Sequence, residues 1–255
     1  MGTIRFIVPL YSKLIIKHIT MENLPFWVSG STALITFLTA FFLYKATRSR
    51  LIIGISTILL LLQTVLGLKG FYQNTTSFPP PLLLLIGPAL IGITILFATR
   101  GGRKLIDSFD QRWMTWLSVI RVPVEFVLLT LFIYKQVPQV MTFEGRNFDI
   151  LSGLSAPFIA YFGYTKRRIS KSGLLLWNFI CLGLLLNVVI HAVLAVPGPL
   201  QRLAFDQPNI AVLYFPFVWL PGFIVPAVLF THLVNIRQLL SVQPSSLLSL
   251  QAKHL

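Results

Sequence analysis

The chain has 255 residues, 55% of them hydrophobic and 11% charged, with a mean hydropathy of +0.80. No water-soluble fold hides that share of apolar surface, so lipid must cover part of it. The formal net charge of +14 would suggest nucleic acid in a soluble protein. Here the cations fall in short runs between apolar stretches, as at Lys45, Arg48 and Arg50, where they set topology and exclude nucleic acid as the expected partner.

Residues 1–25 read as a leader or a basic interfacial segment. The apolar run from Phe6 to Tyr11 is interrupted by Pro9 and followed by Lys13 and Lys17, with no small-residue cleavage site. Met21 reads as an alternative start. Ile4, Ile7, Leu10, Leu14 and Ile15 at helical spacing suit a surface helix instead, and both readings stand.

A spanning helix needs about 20 mostly apolar residues, since each adds about 1.5 Å across about 30 Å of hydrocarbon. Seven segments qualify: Phe26–Tyr44, Leu51–Leu68, Pro81–Ala98, Trp113–Tyr134, Ile150–Tyr164, Leu174–Val196 and Ala211–Ile236. The fifth is short and carries Pro157. The predicted fold is therefore an all-α integral membrane bundle of about seven helices over residues 26–237, with a tail over 238–255. The odd-numbered connections hold eleven Lys and Arg residues and the even ones four. By the positive-inside rule the odd ones face the cytoplasm, which places the N-terminal end outside and the C-terminus inside. Short loops suggest a bacterial inner membrane.

Matching stretches recur in chain order. Ser29-Gly30-Ser31-Thr32-Ala33 in the first segment parallels Ser152-Gly153-Leu154-Ser155-Ala156 in the fifth, and Leu60-Leu61-Leu62-Gln63 parallels Leu184-Leu185-Leu186-Asn187. Phe78-Pro79 with Pro88-Ala89 parallels Phe215-Pro216 with Pro226-Ala227. They suggest two parallel three-helix units joined by the fourth helix, a 3+1+3 repeat; chance alignment of leucine-rich helices is the competing reading. This arrangement is similar in topology to SWEET sugar carriers and KDEL receptors, and rhodopsin-like proteins share its helix count and orientation. The resemblance stops at topology, with no shared motif, and the seventh segment has no lysine for a retinal Schiff base.

Ionisable groups inside a membrane are costly and mark candidate sites. Arg121 and Glu125 lie one turn apart on the fourth segment and predict either a buried charge pair lining a solute path or a structural lock. Gln63 and Asn187 at compatible depths, and His191 nearer the outer surface, suit an outward-open cavity; interhelical hydrogen bonds are the plainer reading of the amides. Glu144, Arg146 and Asp149 before the fifth segment form a candidate roof, with Asp149 alternatively capping that helix and Glu144 and Arg146 forming a surface pair. His232, with Asn235 and Arg237, is expected at a cytoplasmic rim, too far from His191 to share a metal. Pro88, Pro123, Pro157, Pro221 and Pro226 predict kinks with freed carbonyls.

No metal or cofactor is expected. The single cysteine, Cys181, permits no intrachain disulfide, and no P-loop, HExxH, GxSxG or dinucleotide turn is present. The leading functional expectation is a carrier for a small polar solute, as a monomer or an oligomer. A sensor or receptor-like protein binding a ligand at its outer loop is the alternative, and an intramembrane enzyme using Glu125 and His191 ranks third.

Overall fold

A computed structural model describes residues 24–241, which form an all-helical bundle with no strand among them. The N-terminal segment with Lys13, Lys17 and His18, and the tail with Lys253 and His254, lie outside the described residues. In chain order the α-helices are α1 (Phe26–Thr47), α2 (Arg50–Leu68), α3 (Pro81–Ala98), α4 (Arg100–Ile106), α5 (Gln111–Leu117), α6 (Arg121–Ile133), α7 (Ile150–Phe158), α8 (Lys171–Ala195) and α9 (Val225–Leu240). A 3₁₀ turn at Ser118–Ile120 fuses α5 to α6, and a π-helical turn at Leu220–Ile224 leads into α9. Counting these as continuous, six helices are long and apolar enough to cross a membrane: α1, α2, α3, Gln111–Ile133, α8 and Leu220–Leu240. The chain is a multi-pass membrane protein.

Short polar residues start the helices at the basic end. The side chains of Ser49, Thr99, Asp110 and Ser170 accept backbone N–H groups that begin α2, α4, α5 and α8, satisfying donors that have no partner inside the helix. These starts share one end of the bundle. Asp110 N–H donates to Ala46 O at the end of α1, and Arg237 at the end of α9 pairs with Asp107 at 2.8 Å. Arg112, Arg167 and Lys171 line one groove there. The arginine-rich turns 100–112 and 166–171 thus lie on the same side.

Burial ranks the helices. Of the most apolar 18-residue window, 61% is buried in the last helix but only 11% in α2 and 17% in α3. The last helix is therefore the axis of the bundle, while α2 and α3 show outward faces such as Leu61 and Ile91, as lipid-facing helices do.

The fifth predicted span is the element that departs most from expectation. It consists of α7 followed by a π-helical turn at Ile159–Thr165, nine residues and then seven. At about 1.5 Å per residue this reaches roughly 24 Å, less than a bilayer core. The preceding connection folds into the bundle: Thr142 and Asn147 are fully buried and Asp149 nearly so. The expected roof is in part an inward-folded loop. Irregular backbone is tolerated at such depth only when protein surrounds it. Gly145 makes the turn possible, because a Cβ there would collide with the carbonyl of Gln139.

The prolines act locally. Pro123 removes the donor that would reach Val119, and the chain there is 3₁₀. Pro157 sits inside α7 just before the π turn, and Pro221 opens the second π turn. Pro88 lies within α3 and is accommodated there. Pro226 frees the carbonyl of Gly222, which accepts instead from Gln63 Nε2 at 3.0 Å. The two stretches matched as a repeat sit in different surroundings. A Cβ at Gly30 would meet nothing within 4 Å, whereas one at Gly153 would lie 2.8 Å from Val122 Cγ2 and 3.0 Å from its backbone N.

That close approach lets α7 pack directly on α6. Gly153→Val should overpack the contact and lower stability by about 1–3 kcal/mol, read as a lower unfolding midpoint in detergent; an unchanged midpoint would show that the contact is loose. Gly30→Val, in open space, should leave the midpoint nearly unchanged.

Candidate functional site

Four helices and the inward loop converge on Arg121. Its Nη1 donates to Asp149 Oδ1 at 2.8 Å and to the backbone carbonyl of Cys181 at 3.3 Å, and its Nη2 lies 3.0 Å from His232 Nε2. A guanidinium carries donors only. His232 Nε2 must therefore accept, and the ring proton sits on Nδ1, 3.0 Å from Asn178 Oδ1. The Nδ2 of Asn178 donates in turn to Leu174 O on its own helix. Donor and acceptor alternate without conflict from Asp149 through Arg121 and His232 to Asn178, and the imidazole is neutral. Trp177 packs beside the ring, centroids 5.6 Å apart, with its own Nε1 donating to Ser155 Oγ on α7.

Glu125 belongs to a second branch. Asn147 Nδ2 donates to Glu125 Oε1 and to Met141 O, while its Oδ1 accepts from Asp149 N–H. One asparagine thus holds the carboxylate and pins the inward loop. The other Glu125 oxygen, Oε2, is buried with no hydrogen-bond partner, as is Arg121 Nε.

Both branches border one cavity of about 100 Å³. Arg121, Glu125 and Asp149 are at its charged side; its walls are hydrocarbon from α3, α6, α8 and the last helix, including Leu128, Val188 and Ile224. Asn209 also lines it, from the long connection after α8. The volume suits a few waters or a small solute.

Several expectations need correction here. Arg121 and Glu125 do not pair with each other; Asp149, 28 residues away in sequence, takes the guanidinium, and helical order already disfavoured an Arg-before-Glu pair. Asp149 stands just before α7 but makes no side-chain cap; its Oδ1 accepts from Arg121 instead. His232 is no rim residue: it and Asn235 are buried and bonded, to Arg121 and Asn178 and to Thr115 respectively. Only Arg237 of that trio is at the surface, paired with Asp107.

The remaining predicted residues lie elsewhere. Gln63 makes the interhelical bond to Gly222 O, a backbone neighbour of Pro221 and Phe223 rather than of the cavity charges. Glu144 and Arg146 are exposed. Asn187 donates to Arg146 O at 2.8 Å, and His191 Nδ1 lies 2.8 Å from Asn187 O one turn below it. Neither Asn187 nor His191 lines the cavity, and no bond joins His191 to Glu125, so the pair suggested for an enzyme has no geometry. Asn147, Asn178 and Asn209 were not among the predicted site residues, and His232 was expected at the rim rather than in the network.

Residues 79–240 match the family described as Domain of unknown function (DUF8737). The chain belongs to this family. No curated protein and no solved structure matches it. The stretch that DUF8737 matches contains every residue of the buried network and of the cavity lining, while α1, α2 and Gln63 fall outside it.

The network predicts a graded response to substitution. Asp149→Ala leaves the Arg121 guanidinium buried without its carboxylate and should cost about 3–5 kcal/mol, the usual scale for breaking a buried pair. Chemical denaturation in mixed micelles measures it. His232→Ala removes one acceptor from a cation and should cost less, about 1.5–3 kcal/mol. Equal, negligible losses in both would mean that the network is not held together as drawn.

Proposed function

We propose that this protein is a carrier for a small solute, which occupies the cavity between α3, α6, α8 and the last helix. The observation that supports it best is that a cavity deep in a membrane bundle ends on three buried ionisable groups, one of which, Glu125, keeps a free oxygen. A purely structural ion pair has no need of a cavity beside it, nor of a second carboxylate. Hydrocarbon walls favour a solute with an apolar body over the polar one that intramembrane amides alone suggest. The π-helical, proline-bearing start of the last helix, with Pro221 and Ile224 at the cavity wall, suits an element that shifts as access alternates.

The proposed threading has seven crossings, the N-terminal end outside and the C-terminus in the cytoplasm of a bacterial inner membrane. Its support is the gathering of the cationic helix ends on one face and the inward loop that precedes the short fifth crossing. Single cysteines placed in a Cys181→Ala background test the orientation. Residues 104 and 167 should react with a membrane-impermeant thiol reagent only after the inner face is opened, and residue 144 in intact cells. Labelling of 104 and 144 from the same side would overturn this threading.

Transport itself is tested in proteoliposomes by the uptake of radiolabelled solutes. Gradients of small amines, alcohols and carboxylates are applied, and their dissipation is compared with that in protein-free vesicles. Wild type should accelerate at least one class, and Glu125→Gln should slow that flux by about tenfold or more, the scale of one hydrogen bond to a charged group. Wild-type protein that moves no class faster than empty vesicles would end the carrier reading.

A further inference from the structure

With Glu125 ionised, the charges of the interior do not cancel among themselves. Arg121 is the one cation of the buried network, and Asp149 takes it at 2.8 Å. Glu125, just as deeply buried, has only the neutral amide of Asn147 on Oε1 and nothing on Oε2. His232 brings no charge, because its Nε2 accepts from Arg121 and its single ring proton is on Nδ1. The cavity beside Glu125 therefore has room for one positive charge, in a setting where an unmatched ion is strongly disfavoured.

The walls decide what kind of cation fits. Hard metal ions need several oxygen ligands, and the described residues contain no group of three or more His, Cys, Asp or Glu that could hold one. Leu128, Val188, Ala192 and Val225 offer hydrocarbon only. An anion drawn to the unpartnered Nε of Arg121 would stand beside two carboxylates. We propose that the cavity binds a small organic cation, a protonated amine on a compact hydrocarbon body, whose N–H donates to Oε2 of Glu125. The hydrocarbon body replaces water against the walls, and the ammonium group supplies the missing charge. This names the solute class of the proposed carrier and rests on that reading for its physiological sense; the binding itself does not depend on transport.

The test uses the purified full chain in detergent and three probes of one shape: cyclohexylammonium, cyclohexanol and cyclohexanecarboxylate, with sodium chloride as the ionic control. At a tenfold excess over its Kd, cyclohexylammonium should raise the unfolding midpoint by about 3–5 °C, and the alcohol and carboxylate should raise it far less. Glu125→Gln should abolish the amine-specific shift. Because that variant alters a buried network, Ala192→Phe serves as a second one. It fills the cavity from α8, leaves Glu125 in place and should also abolish the shift.

Equal stabilisation by alcohol and amine, or an amine shift that survives in both variants, would overturn the inference. The two readings separate cleanly. Saturable amine binding without flux in proteoliposomes sinks the carrier and leaves the site, whereas flux of alcohols or carboxylates without amine binding sinks the site and leaves the carrier.

Discussion

A single ion pair, Arg121 with Asp149, constrains most of the structure. An arginine in the middle of a crossing helix cannot stay unmatched, and both of its terminal nitrogens are directed at acceptors. Its partners come from the inward loop, from the backbone of α8 and from the last helix. No partner is supplied by its own helix. Meeting one guanidinium therefore fixes where these three elements stand relative to α6. The loop after α6 must enter the bundle to deliver Asp149, and α7 must begin at that depth, which explains why it is short.

A second strategy operates on the backbone. Each proline in a membrane helix leaves a carbonyl without its donor, and hydrocarbon offers no replacement. Gly222 O, freed by Pro226, is served by Gln63 from α2. The absence of a side chain at Gly222 is what admits the amide, since a Cβ there would lie 2.6 Å from Gln63 Nε2. Glycine, proline and glutamine form one unit, and it is this unit, rather than apolar contact alone, that attaches the peripheral α2 to the central helix. Trp219 Nε1, 3.4 Å from Leu60 O, lies along the same seam.

The helices were legible because hydropathy and length leave few alternatives. The third span is found at the predicted Pro81–Ala98, and the second begins one residue earlier than expected. Arg121 and Glu125 were legible as site members because charge in an apolar run is rare, and Asp149 because it stands among few acidic residues. Partners were harder to see, since pairing depends on which helices touch. His232 was weighed against His191, at the other end of the membrane, instead of Arg121. Counting from the basic end, Arg121 lies ten residues into its helix and His232 eight from the end of its own, about 15 and 12 Å deep, a similarity that the predicted helix ends at Trp113 and Ile236 concealed. Asn147 was hidden differently. The loop that bears it looks like an extracellular connection until the shortfall of the fifth span is taken as a reason for it to dip inward.

The two ends of the cavity differ in what holds them shut. At one end lie buried charges, and parting them in hydrocarbon would expose a cation and two carboxylates to a medium that does not solvate them. At the other end the chain between α8 and the last helix crosses over, held by neutral amides. Asn209 donates from its side chain to Ala192 O and from its backbone to Ala195 O, and Gln207 donates to Phe132 O and Val137 O. These acceptors are mostly carbonyls in the last turns of α6 and α8. Water can take over such bonds at modest cost, because a neutral hydrogen bond exchanged for one to water changes stability by only about 1 kcal/mol. The amide-held end is therefore the easier one to part, and the charged end the more fixed.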